Sequence, residues 1–167
     1  AWVERSRALA DQLMSELKAE LGQAMQQGGP VAAVAVCKSR APEIAARLSA
    51  SSGAEVKRTA IRLRNPANAP DDLERAVMQG FAAELSGASP VASVPPEAIF
   101  ESRSAQGTER RYLRAIVMQP VCLACHGTTL APDIATAIAR EYPQDAATGF
   151  ETGQLRGAVT VRWPATR

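Results

Sequence analysis

Two cysteines and a histidine stand close together in the segment Cys122-Leu123-Ala124-Cys125-His126. This spacing is typical of the site at which haem is attached covalently as haem c. Two thiols three residues apart on a helical turn reach the two vinyl groups along one porphyrin edge, and the adjacent imidazole can bind the iron. Because His126 is the only histidine of the chain, the match is specific. The sequence therefore predicts one covalently attached haem c.

Other uses of the same cysteine pair fit less well. A zinc ribbon needs a second pair of ligands, and only Cys37 remains. A thioredoxin-like redox pair normally stands between a strand and a helix in a βαβ unit, and a following His-Gly is not its usual sign. A disulfide between Cys122 and Cys125 would be unusual at such short spacing. Haem attachment is the favoured interpretation.

The second axial ligand of the iron is left open by the residues alone. With no second histidine, the candidates are a lysine, water, an empty position, or a sulfur atom from Cys37, Met14, Met25, Met78 or Met118. Cys37 lies on an inward-facing helical stripe with Val34, Ala41, Ile44 and Leu48. That position suits a metal ligand and a small core residue equally well.

The elements that must position these residues follow from hydrophobic periodicity. We expect helices over 2–27, 31–48, 72–85 and 132–141, and strands over 56–64, 97–104, 109–119 and 155–163. Gly28-Gly29 should end the first helix, and Pro30 should open the second. Pro42 should kink that second helix or restart it. The pattern predicts a single α+β domain over 1–167, with a mostly antiparallel sheet and long N-terminal helices.

Composition and charge exclude some classes of protein. Apolar residues make up 46% and charged residues 22%, as in ordinary soluble domains. The net charge is +2 with acids and bases mixed, which does not favour a nucleic-acid partner. No apolar run reaches the length of a membrane span, and the first residues show no signal-peptide core. Because haem c is attached outside the cytoplasm, we expect a periplasmic or otherwise extracytoplasmic protein whose leader or anchor is absent from this chain.

Several segments together resemble one known family. They are Val36-Cys37-Lys38 with Ala41–Ala45, Leu63–Pro70, Met118–Gly127, and Tyr142-Pro143 through Ala147–Gly149 to Leu155–Ala158. In this order they are similar to the PAS-like c-type haem domain family, found as stand-alone exported proteins and as sensor domains of histidine kinases. The resemblance covers nearly the whole chain. It implies a PAS-like sheet flanked by long helices, and a haem whose axial ligands are His126 and Cys37.

Two functions remain after this resemblance. In the first, the domain senses redox state or a diatomic gas, and loss of the iron–Cys37 bond lets helix 31–48 move against helix 2–27. In the second, it is a low-potential electron-transfer cytochrome, since a thiolate stabilises ferric iron. We predict no enzymatic activity, because no second histidine exists for acid–base chemistry.

The expected partners are haem and either a redox partner or a gas ligand. Helix 2–27 could pair with a second copy or cover its own sheet, and both remain open. Four arginines are candidates for the haem propionates, because guanidinium groups suit carboxylate geometry: Arg62, Arg64, Arg111 and Arg114. Each could equally lie on a solvated strand face.

Overall fold

The computed structural model describes residues 1–87 and 94–166, in which helices flank one antiparallel sheet. The helices are α1 (Trp2–Ser52), α2 (Asp72–Gly87), α3 (Leu123–His126) and α4 (Pro132–Glu141), with 3₁₀ turns at Pro66–Asn68 and Pro120–Cys122. The strands are β1 (Glu55–Thr59), β2 (Glu97–Ser104), β3 (Gly107–Val117) and β4 (Leu155–Thr166), in the spatial order β1-β4-β3-β2. The predicted PAS-like α+β architecture with helix-rich N-terminus is confirmed. Arg167, the last residue of the predicted domain, lies outside the described residues.

The long helix α1 is a helical hairpin. Within it the backbone leaves helical geometry at Gly29, where φ is 72° and ψ is −168°. The first arm (2–28) and the second arm (30–52) run antiparallel, since Arg40 pairs with Glu20 at 2.9 Å across them. Glycine adopts positive φ without the steric cost that a side chain brings. The predicted end of the first helix at Gly28-Gly29 is therefore confirmed.

The two prolines of α1 behave differently. Pro30 opens the second arm, where its missing N–H costs nothing. The predicted restart at Pro42 is wrong, because the helix continues through it, and the alternative, a kink, stays a prediction. Pro42 is exposed, so water can satisfy the carbonyl that it leaves unpaired, while Ile44 and Leu48 are buried and hold the arm on the sheet. Packing of the buried stripe outweighs the local effect of the proline.

The helical hairpin and α2 cover opposite faces of the sheet. Phe81 of α2 packs against Leu113 and Ala115 on one face. The other face meets both arms of α1 in one buried cluster, formed by Ala10, Leu13, Ile44, Leu48, Ala54, Val56, Tyr112, Val159 and Val161. Tyr112 and Leu113 point to opposite faces, as consecutive strand residues must. The first arm therefore covers its own sheet.

Strand β1 is shorter than the sequence predicts. The predicted strand over 56–64 is wrong in its second half, because β1 ends at Thr59 and Ile61 is 40% exposed. The chain leaves the sheet here to meet the loop before β4, where the Ala146 N–H donates to the Leu63 carbonyl at 2.7 Å. The alternation of apolar and charged residues over 61–64 suggested a strand. These residues follow the end of β1, and Leu63 bonds to Ala146 instead.

The remaining elements lie close to their predicted places. α2 begins with a capping box, in which the Glu74 N–H donates to Asp71 at 2.8 Å and the Asp71 N–H donates to Glu74 at 2.9 Å. β2 and β3 form a hairpin. β3 ends at Val117, two residues early, and β4 extends to Thr166. No helix in the described part of the chain is long and apolar enough to cross a membrane.

Candidate functional site

The cysteine–histidine motif lies on two short consecutive turns. A 3₁₀ turn at Pro120–Cys122 leads directly into α3 at Leu123–His126. Gly127 then closes α3 with its N–H on the Leu123 carbonyl at 2.9 Å. A Cβ at this position would lie 2.5 Å from that same carbonyl oxygen, so only glycine fits. The predicted helical turn under the two thiols is present.

The imidazole of His126 is held in one orientation. Its Nδ1 lies 2.7 Å from the Ala147 carbonyl oxygen, and Phe150 meets the ring edge-on with centroids 6.3 Å apart. Since a carbonyl can only accept, Nδ1 carries the proton and the lone pair of Nε2 stays free. Burial, followed by the charges of Arg156 and Arg64, lowers the pKa of His126 to about 3. The ring is therefore neutral and available as a metal ligand at neutral pH.

Cys37 lies on the second arm of α1, above α4. One turn earlier, Val34 packs against α4 and accepts a 3.5 Å hydrogen bond from the Tyr142 hydroxyl. One residue later, Lys38 pairs with Glu141 at 3.3 Å. The arm is thus fixed to α4 on both sides of Cys37, whose thiol is half-buried between them.

Cys37 and His126 share an electrostatic environment. Burial raises the pKa of the Cys37 thiol, while the nearby cations Arg58, Arg64 and Arg156 oppose that rise. Besides burial, two of these cations, Arg156 and Arg64, also lower the pKa of His126. The structure therefore brings the second arm of α1 and the motif to one region, as the assignment of both residues to one site requires.

The two motif cysteines face different neighbours. Cys125 packs beside the Val34 cluster on α4, and its thiol pKa is raised first by burial, with Cys37 among the nearby groups. Cys122 packs instead against Met118 and Phe150. All three cysteines, which are all described, are free thiols. They are therefore chemically available for attachment or ligation.

A buried arginine joins the motif to the loop before β4. Arg64 is 8% exposed, and its Nε donates to Asp145 at 2.9 Å. Its Nη2 donates to the Cys125 carbonyl at 2.6 Å and to the Ala147 carbonyl at 3.0 Å. The Ala147 carbonyl is the group that also orients His126. Arg64 thus fixes the motif relative to the acceptor of its imidazole.

Two of the four arginines predicted to meet propionates lie elsewhere. Arg111 pairs with Glu74 at 3.1 Å at the start of α2, and Arg114 pairs with Asp11 at 2.7 Å on the first arm of α1. That prediction is wrong for both. Their side chains are only 12% and 19% exposed, and the sequence carries no information about which carboxylate stands opposite each of them.

Arg58 and Arg156 are site residues that the sequence reasoning missed. Arg156 donates to the Arg62 carbonyl at 3.1 Å, and both guanidinium groups lie over the Phe150 ring, at 5.6 Å and 3.9 Å from its centroid. Arg58 stands two residues after Val56 on β1 and therefore shares its face, towards α1. That parity with a buried valine was the signal that could have identified it.

The methionine candidates for the second axial position are distributed through the fold. Met14 lies beside the hairpin core, Met78 is fully buried, and Met25 is 42% exposed. Met118 is fully buried in one cluster with Ala147, whose carbonyl holds Nδ1 of His126. Among residues 1–87 and 94–166, no group of three or more His, Cys, Asp or Glu side chains could hold a free metal ion. The geometry therefore favours Cys37 over the methionines.

A cavity of about 520 Å³ opens on the other side of Phe150. Its described lining is largely apolar and includes Leu85, Val117, Leu155, Phe150, Arg62 and Arg156. It reaches the site through Phe150 and Arg156, but Cys37 and His126 are not among the described residues that line it.

The chain matches known proteins over almost its full length. A profile of the Tll0287-like family matches residues 2–164. A solved structure described as the crystal structure of the cyanobacterial heme-protein Tll0287 matches with a TM-score of 0.63 and 27% identity, covering 93% of this chain and 92% of that one. A comparison with curated proteins found no match. The chain belongs to the Tll0287-like family.

Proposed function

We propose that this chain is an exported c-type cytochrome domain. In this proposal one haem c is attached through Cys122 and Cys125, with His126 and Cys37 as its axial ligands. The single observation that carries it is the orientation of His126, whose Nδ1 is bonded to Ala147 while Nε2 stays free. Similarity to a structure described as a heme-protein supports it.

The residues present fit such a group. The site offers free thiols, a neutral imidazole and more arginine cations than carboxylates. A bound haem supplies one-electron redox chemistry and an iron that can bind diatomic ligands. The chain supplies the orientation of the ligands through Arg64 and Ala147, and the protein environment that shields them.

For the biological role, we propose sensing of redox state or of a diatomic gas. Cys37 and His126 stand on different elements, the second arm of α1 and α3. The same arm contacts the sheet through Ile44 and Leu48. Whether the Cys37 sulfur is bound or free can therefore change how this arm packs on the sheet, provided that the two states differ in stability.

Electron transfer at low potential is the second candidate. One observation favours it: Val121, the residue directly before Cys122, is 78% exposed. The attachment edge thus lies near the surface, where a redox partner can approach. Ligation by a thiolate in both oxidation states would confine the protein to low-potential partners.

The remaining properties are proposals of the same kind. We expect no enzymatic activity and no nucleic-acid partner, and we place the protein outside the cytoplasm because haem c is attached there. Pairing of two copies through residues 2–27 would have to use surface other than Leu13 and Leu17, which are buried within the chain. Met25, 42% exposed, is one such residue.

Spectroscopy of both oxidation states tests the proposal. We expect a pyridine haemochrome spectrum of haem c, and a low-spin ferric EPR signal that is lost or altered in Cys37→Ser. Met14→Leu, which changes a sulfur in the hairpin core, is the control and should leave the signal intact. A reduced protein that binds CO supports the sensor, while one that stays six-coordinate and excludes CO supports electron transfer. Absence of covalent haem in protein matured with the haem-attachment machinery would contradict both.

A further inference from the structure

Arg58 reaches the site from beneath the second arm of α1. It pairs with Val159 in the β1–β4 register, on the sheet face that carries Val56. Val56 lies in one cluster with Ile44 and Leu48 of the arm. Because β1 runs back under that arm, two strand residues advance about 7 Å, which carries Arg58 towards the position of Cys37.

This cation has no partner in the described protein. Within residues 1–87 and 94–166, Arg58 makes no side-chain hydrogen bond and no ion pair, although it is half-buried. Its pKa is lowered, with burial as the first cause and Cys37 and Tyr142 acting in the opposite direction. A half-buried guanidinium whose five N–H groups meet no acceptor in the described protein is free to bind a carboxylate.

Arg58 belongs to a group of cations with too few carboxylates. The pKa of Arg156 is lowered by burial and by the positive charges of Arg64, Arg58 and Arg62. The Asp145 carboxylate raises it. Asp145 is already bonded to Arg64. Burial and these like charges lower the pKa of Arg156 to about 10. The group therefore lacks negative charge.

We infer that Arg58 and Arg156 receive a carboxylate of the bound tetrapyrrole, that is, a haem propionate. This inference rests on the proposed function. Arg64 is less suited, since its Nε and Nη2 are occupied by Asp145 and two backbone carbonyls. Among the described residues, Arg156 donates through Nη1 alone and Arg58 donates to no acceptor. Guanidinium groups bind carboxylates through two parallel hydrogen bonds, which fixes orientation as well as charge.

The reduction potential of the haem-loaded protein tests the assignment. Arg58→Gln should lower the midpoint potential, because a nearby positive charge favours the electron-rich state. We expect about a tenfold change in the ferric-to-ferrous equilibrium, which is about 59 mV for one electron. Arg58→Lys should keep most of the potential, because it keeps the charge. Both variants should shift the propionate bands in resonance Raman spectra, since both lose the paired hydrogen bonds. Arg114→Gln, a cation remote from the site, is the matched control.

Repeating the measurement in the Cys37→Ser protein distinguishes a propionate from the Cys37 thiolate as the partner of Arg58. If Arg58 binds a propionate, Arg58→Gln lowers the potential equally in the native and the Cys37→Ser proteins. A shift that vanishes in Cys37→Ser overturns the inference, as does a potential and Raman spectrum unchanged by Arg58→Gln. A native protein without covalent haem would instead refute the proposed function.

Discussion

The two ends of the second arm of α1 stand in contrast, although the same arm and the same strand form both. At one end Leu48 and Val56 lie in a closed apolar cluster, in which the Tyr112 hydroxyl donates to Glu97. At the other end Cys37 and Arg58 lie half-buried, the first a free thiol and the second a cation that meets no carboxylate within the described residues. The closed end stabilises the fold. The open end has donors and charges that the fold does not use, as expected of a ligand site.

The largest effect should come from removing the attachment chemistry at the open end. In the double variant Cys122→Ser with Cys125→Ser, we expect complete loss of covalent haem. Haem staining of a denaturing gel measures it, and circular dichroism should show helix content close to native. Haem that survives denaturation in this variant would show that the attachment site lies elsewhere.

At the closed end, truncating the core should lower stability while leaving haem attachment intact. Leu48 is 1% exposed, so Leu48→Ala should reduce the free energy of unfolding by about 2–5 kcal/mol. Met25→Ala, at a position 42% exposed, is the control and should cost much less. Urea unfolding of both variants measures the difference, and equal losses would show that the two ends are not distinct.

Arg64 belongs to the motif side of the molecule, and its loss should affect both the stability of the fold and the haem site. Arg64→Gln leaves the Asp145 carboxylate without its cation and frees the Ala147 carbonyl, which should cost about 3 kcal/mol. We also expect broader EPR features for the haem, because His126 loses a support of its acceptor. If Arg64→Gln has the same free energy of unfolding as the native protein and leaves the EPR spectrum sharp, the hydrogen bonds of Arg64 have no structural role.

The smallest effect should be a loss of stability in acid, through Glu97 at the closed end. The hydrogen bond from Arg7, together with that from Tyr112, lowers the pKa of Glu97 below its ordinary value of 4.5. The unfolded chain then binds the proton more tightly than the folded one. This contribution to stability is complete above pH 4.5 and is lost as the pH falls below it. Glu97→Gln should flatten the acid limb of the stability–pH curve slightly, and an identical limb would remove Glu97 as its cause.

Short-range chemistry made much of this molecule predictable. The hairpin turn followed from Gly28-Gly29-Pro30, and the motif turn followed from its own spacing. The errors came where distant segments decide. Pro42 is tolerated because the arm is held on the sheet, and β1 stops at Thr59 because the next residues meet a loop more than eighty positions away.

The same dependence on distant segments explains the wrong predictions for Arg111 and Arg114. Arg111 and Arg114 stand three residues apart on β3 and face opposite sides of the sheet, and neither they nor Arg62 and Arg64 carry a local sign of their partners. What separates them is the residue opposite: Arg111 and Arg114 meet carboxylates on helices, while Arg62 meets a backbone carbonyl and a ring. Such partners lie far away in sequence, so a single sequence does not reveal them.

The hydrogen bonds from His126 to Ala147, from Arg64 to Ala147 and from Arg64 to Cys125 close a ring through the backbone between Cys125 and His126. Its members come from three segments separated by up to 83 positions. Contacts of such sequence separation form late, after the loops that carry them have closed. While the chain folds, the motif therefore stays an open, accessible segment, and its final orientation is fixed only when these distant contacts form.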